Sequence, residues 1–173
     1  MTDQDKQERR MNRSPFVEEY VKRHQLEIDR LRARAEALEF KGEWVIIGDE
    51  AYDEKRQQYA STSFPEPDVS PRIILYPSPT DPDTDIRDAI QLCTDLEMSI
   101  AVRTGGHQYC GYSSTPPVNM QIDLSKAYPE YSYDAETNIL RCGVSHALGR
   151  WAGLNEEQGI YLPMGVCAHV HLG

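Results

Sequence analysis

The residues best suited to chemistry lie in one short stretch, Arg103-Thr104-Gly105-Gly106-His107-Gln108, with Gly111 just beyond it. Gly105 and Gly106 permit positive φ and let backbone N–H groups crowd against a ligand. Successive N–H groups in such a turn form a concavity suited to pyrophosphate oxygens, and Arg103 stands where it can add positive charge. His107 then presents an imidazole, which is both a nucleophile and a proton carrier. The spacing is neither that of a G-x-G-x-x-G loop nor that of a P-loop. Taken alone, it also reads as a tight turn with a histidine satisfied inside the loop.

These side chains need elements to hold them. Arg72–Pro77 is a short β-rich run closed by proline, Ser99–Arg103 is the strand that feeds the glycine loop, and Val118–Ser125 is a third strand. Between the first two, Thr80 or Asp81 is placed to cap a helix with Pro82 in its first turn and Asp83 and Asp85 at its positive end. Ile86, Ile90, Cys93 and Leu96 recur at helical spacing, so Cys93 reads as a small core hydrophobe. Residues 131–144 alternate around Asp134–Asn138 as a hairpin, with Cys142 as packing. Ser145 is the expected cap of a last helix that runs to about Glu157 and is ended by Gly159. This order predicts an α+β fold.

Upstream, residues 1–13 are polar and predicted to be disordered. Ser14, Pro15, Glu18 and Glu19 mark the start of an amphipathic helix over 14–40. Its stripe is Val17, Val21, His24, Ile28, Leu31, Ala35 and Leu38. That spacing suits either a short coiled coil, giving weak self-association through residues 14–40, or a helix lying on its own domain. Residues 41–69 read as an irregular linker region, with Trp44–Gly48 as a candidate strand within it.

Composition bounds the function. With 18 Lys and Arg against 28 Asp and Glu, the net charge is −10, which opposes nucleic acid and anionic membranes. No apolar run approaches the roughly 20 residues of a spanning helix. Without a secretory signal at the N-terminus, a soluble, cytoplasmic product is the default expectation. The four cysteines (Cys93, Cys110, Cys142 and Cys167) form no CxxC pair, so no structural metal site is expected.

The stretch from Pro71 to Ser114 resembles the start of the FAD-binding domain of berberine bridge enzyme-like oxidases. These belong to the vanillyl-alcohol oxidase/p-cresol methylhydroxylase (PCMH) superfamily. The resemblance rests on the Arg103–His107 loop followed by Gly111, on Ile122-Asp123-Leu124-Ser125, and on Gly165-Val166-Cys167-Ala168-His169-Val170-His171-Leu172-Gly173. It covers about residues 70–173 and implies a PCMH-type FAD-binding domain truncated at its C-terminal end, since family members run to several hundred residues.

The resemblance also implies roles. FAD would be held by Arg103, Thr104, Gly105, Gly106, His107, Gln108, Gly111, Gly165, Cys167, Val170 and Gly173. It would be bonded covalently to His107 and also to Cys167. Val170 falls where the family gates dioxygen, which implies an oxidase acting on a small-molecule substrate with O2 as acceptor. His171 replaces a family glycine, a side chain where backbone passes close to the cofactor. The catalytic base and substrate pocket fall outside the matched residues. The alternative is a truncated, non-catalytic remnant or interaction module.

Overall fold

The computed structural model describes residues 14–59 and 64–173, so the expected disorder of residues 1–13 lies outside the described residues. The elements in chain order are α1 (Pro15–Ala37), β1 (Glu43–Ile46), α2 (Tyr52–Lys55), β2 (Ile73–Tyr76), α3 (Pro82–Asp95), β3 (Ile100–Arg103), β4 (Met120–Asp123), β5 (Tyr131–Asp134), β6 (Ile139–Cys142) and α4 (Leu148–Glu157). A four-stranded sheet runs β1-β2-β4-β3, and β5 and β6 form a separate hairpin. β2, β3 and β4 are parallel, with β1 antiparallel at one edge. The fold is α+β, as expected.

The centre of the sheet follows from its sequence. Ile73–Tyr76 is an apolar run and is buried throughout, as a parallel strand covered on both faces requires. Met120–Asp123 is equally buried but carries Gln121 and Asp123, so these two must find partners inside the protein. α3 closes one side with Ala89, Leu92 and Cys93. Asp85, at the start of that helix, accepts backbone N–H bonds from Lys41, Gly42 and Ser78, each at 2.8 Å. One buried carboxylate thereby ties the turn before β1 to the turn after β2.

Much of the stripe of α1 packs on its own domain. Ser14 caps it by accepting from the Val17 N–H at 3.4 Å. Val17, Ile28, Leu31 and Ala35 are buried in the main core, with Val21 and Leu38 packed at its margin. The helix kinks at His24, which lets one stripe follow the domain surface. The apolar seam that a coiled coil would use is covered by the chain's own sheet.

Two expectations are corrected. Residues 41–69 are not simply a linker, because β1 pairs along β2 and Ile46, Ile47 and Tyr52 are fully buried. The candidate strand at Trp44–Gly48 is β1, and Tyr52 adds a buried ring behind it. Ser145 does not cap α4; its hydroxyl bonds to the Tyr128 carbonyl at 3.2 Å. The first N–H groups of α4, from Leu148 and Gly149, instead meet the carbonyls of Val170 (2.8 Å) and Ala168 (3.0 Å). Backbone from the chain's last residues thus takes the capping role that a side chain was expected to fill.

Candidate functional site

Arg103 and Asp123 end two neighbouring parallel strands in register, and Tyr76 ends the third. In open sheets of this type, ligands gather beyond the carboxyl ends of the strands. The glycine loop leaves from this edge. It lines a cleft of about 400 Å³ together with the end of the chain. Thr104, Gly105, Gly106, His107 and Gln108 line one side, and Val170, His171 and Gly173 line the other. The Thr104 hydroxyl bonds to the Gly173 carbonyl across the gap. Residues 62 or more positions apart in sequence are therefore brought together, as the two matched stretches require.

Arg103 also lines the cleft, but most of its side chain is turned inward. Its guanidinium is buried, with the side chain 5% exposed, and it pairs with Asp123, 3% exposed. The same group donates to the carbonyls of Gln57 (2.8 Å) and Lys55 (2.7 Å) and to the Tyr76 hydroxyl (2.9 Å). Burial raises the Tyr76 phenol to about 12, so it stays neutral as a hydrogen-bonding partner. Four hydrogen bonds of Arg103 thus hold the first residue of the loop to Asp123, Tyr76 and the 55–57 segment.

Gly106 has φ +68°, the left-handed turn that glycine supplies without strain. Gly105 is needed for a different reason: a Cβ there would collide with the His171 ring and lie 2.9 Å from His107. Two imidazoles thus flank one glycine. His171 is held below its ordinary 6.5, first by burial and also by repulsion from His107. Its Nδ1 is buried without a hydrogen-bond partner. His171 is accordingly a neutral ring occupying the volume against the glycine loop.

The other expected residues divide. Gly111 lies outside the cleft lining, with φ +72° and the Phe64 ring against it. Gly165 and Cys167 are exposed and also outside the lining, so the structure does not bring the thiol beside His107. Among the described residues no cluster of His, Cys, Asp or Glu could hold a metal ion.

One neighbour of the cleft has no signal in the glycine motifs. The Tyr59 ring lies tilted against His107, with ring centroids 4.0 Å apart. Its neighbour Gln58 accepts from the Ser113 hydroxyl at 2.9 Å and meets the Gln121 amide at 3.2 Å. The available hint was the run Gln57-Gln58-Tyr59 ahead of the Ser- and Pro-rich stretch, too short to carry a periodicity.

The residues present fit a flavin dinucleotide. The glycine loop opens onto the cleft, and His107 lines it. The fit has one condition: the His171 ring must leave the volume it fills beside Gly105.

No protein-family model matches the chain. It is 33% identical over 88 residues to the FAD-linked oxidoreductase penO of Penicillium crustosum, covering 51% of this chain and 19% of that protein. It is 31% identical over 87 residues to aclacinomycin-N/aclacinomycin-A oxidase of Streptomyces galilaeus, covering 50% and 16%. Its fold matches berberine bridge enzyme with a TM-score of 0.66 at 18% identity, over 83% of this chain and 29% of that one. The fold is that of the PCMH-type FAD-binding domain of berberine bridge enzyme-like flavoenzymes. The chain is related to the FAD-linked oxidoreductases, and it spans about a fifth of the length of the curated relatives it matches.

Proposed function

We propose that this chain carries the flavin-anchoring loops of an FAD-dependent oxidase, which moves hydride from a small organic substrate to FAD and then to O2. The observation that carries this reading is the cleft itself. The Thr104–Gln108 loop and Val170–Gly173 converge on it beside an accessible imidazole, in a fold shared with flavoenzymes. FAD, when bound, supplies the hydride acceptor that no side chain can provide. The chain's own residues bind and orient it. Gly105 and Gly106 let the backbone approach the ligand closely, and His107 is the residue for covalent attachment. Val170, in the cleft lining, is the candidate for controlling dioxygen access. Cys167 is proposed as a second attachment point; it needs its exposed segment to move toward the cleft.

The relatives' printed names support an oxidoreductase acting on small molecules. Among the described residues no helix is long and apolar enough to cross a membrane. The test is direct. The 173 residues alone are expected to bind FAD weakly or not at all, so the full-length protein that carries these loops is reconstituted with FAD in air, denatured, precipitated with acid and washed. Flavin fluorescence is expected to stay with the wild-type protein and to be lost completely in His107→Ala. Quantitative release of flavin from the wild type would refute attachment. Failure of both wild type and His171→Gly to bind FAD would favour the non-catalytic remnant.

A further inference from the structure

Residues 55–59 meet the glycine loop at several points. The Arg103 guanidinium holds the carbonyls of Lys55 and Gln57. A side chain on Gly106 would come within 3.3 Å of the Tyr59 backbone N and 3.2 Å of Gln58 Oε1, so the two backbones are in close contact there. Gln58, nearly buried, is bonded to Ser113 on the far side of the loop. Tyr59 then lies on His107, with its plane tilted by 32°. Tyr59 is 66% exposed, so its ring is not held there by core packing. The strap below it fixes its position.

We infer that Tyr59 is the positioning residue of His107, and that the strap 55–59 exists to present this imidazole to the cleft. A histidine on a glycine-rich loop would otherwise sample several rotamers, and reactive geometry is costly to recover when a group is misplaced. Stacking on one face leaves the ring edge, with its nitrogens, free to reach into the cleft. The strap is tied to the same Arg103–Asp123 pair that ends the sheet strands, so loop and imidazole share one anchor.

The inference rests on the reading of His107 as the attachment residue. Attachment forms one N–C bond and breaks one C–H bond at the flavin methyl group and the imidazole N–H bond. The two electrons and two protons pass to dioxygen, which leaves as hydrogen peroxide. Tyr59 takes no part in that exchange; it only holds the imidazole in place.

Two measurements test this on the whole chain, with Tyr59→Ala and Tyr59→Phe variants. Removing an exposed ring opens no core cavity, so both variants are expected to fold with unchanged circular dichroism. In proton NMR, the His107 ring resonances should lie upfield in wild type and Tyr59→Phe, shielded by the stacked ring. They should move to ordinary histidine positions in Tyr59→Ala. Acid-stable flavin should form about tenfold more slowly in Tyr59→Ala and at the wild-type rate in Tyr59→Phe. Unshifted His107 resonances in Tyr59→Ala would overturn the inference, as would wild-type attachment by that variant. If wild type attaches no flavin while the NMR shift is seen, the attachment reading fails and the positioning contact stands.

Discussion

The two stretches that carry the flavin resemblance are built very differently. The Arg103–Gly111 loop is gripped by side chains from three other parts of the chain, through Asp123, Gln58, Tyr59 and Phe64. The stretch from Tyr161 to Gly173 is held chiefly by backbone, through the bonds from its carbonyls to the start of α4. Its apolar residues are largely in solvent: Tyr161 is 89% exposed, and Val166 is fully exposed. The first loop is therefore pre-organised, which is what an attachment site gains from a scaffold. The second has only Val170, His171 and Gly173 at the cleft, and its cysteine stands outside. Equal resemblance to a motif does not bring equal structural support.

The grip on the first loop is the place to break the contrast hardest. Arg103→Leu would leave Asp123 charged, buried and with only the Ser125 N–H (2.9 Å) as an identified partner. Removing one member of a buried pair costs about 3–5 kcal/mol. The urea midpoint should fall accordingly, and the strap 55–59 should lose protection in amide exchange. A cost within 1 kcal/mol would mean that the loop is not anchored through this pair. No comparable substitution exists in the 161–173 stretch, where exposed side chains contribute little.

The sheet strands and α3 were legible because their patterns are local: β-rich runs bounded by proline, and helical spacing behind an acidic start. The hairpin was legible for the same reason. Asp134 accepts from the N–H groups of Glu136 (2.9 Å) and Thr137 (3.3 Å), and Asn138 takes the left-handed position. What escaped was long-range. Nothing near Arg103 tells that its guanidinium turns inward to Asp123, 20 residues away, and to carbonyls 46 and 48 residues upstream. Likewise Tyr59 falls in a stretch that reads as linker, because its value lies in a contact with His107 rather than in any periodicity. The capping of α4 by distant carbonyls has no side-chain signal at all.

His171 sharpens the comparison, because it is where the weakly held stretch touches the rigid loop. Its ring blocks the space against Gly105, so His171→Gly should tighten FAD binding about tenfold in a fluorescence-quenching titration, equivalent to roughly 1.4 kcal/mol. The same ring should make the wild-type chain sensitive to acid. Its folded pKa is depressed below 6.5, so below that pH the unfolded chain takes up a proton that the folded chain resists. Stability therefore falls as pH drops from about 6.5 toward the folded value, and levels off below it. His171→Gly should flatten that part of the profile in urea melts between pH 7.5 and 5. An unchanged slope would mean that the ring is already free in solution.

The smallest effect is expected at Cys167, and it bears on whether the second stretch ever joins the first. The thiol is exposed and outside the cleft, so Cys167→Ala should change stability by less than about 0.5 kcal/mol. Its reactivity should contrast with that of Cys93, which is buried and raised to about 11 by desolvation. A maleimide at neutral pH should therefore label Cys110 and Cys167 quickly and Cys93 slowly, since the thiolate is the reacting form. After reconstitution with FAD, a second tether would remove Cys167 from the labelled set while Cys110 stays reactive. The peptide spanning Leu162 to Gly173 would then carry flavin mass linked to the His107 peptide. Stoichiometric labelling of Cys167 in protein already bearing acid-stable flavin would leave His107 as the sole anchor of the two.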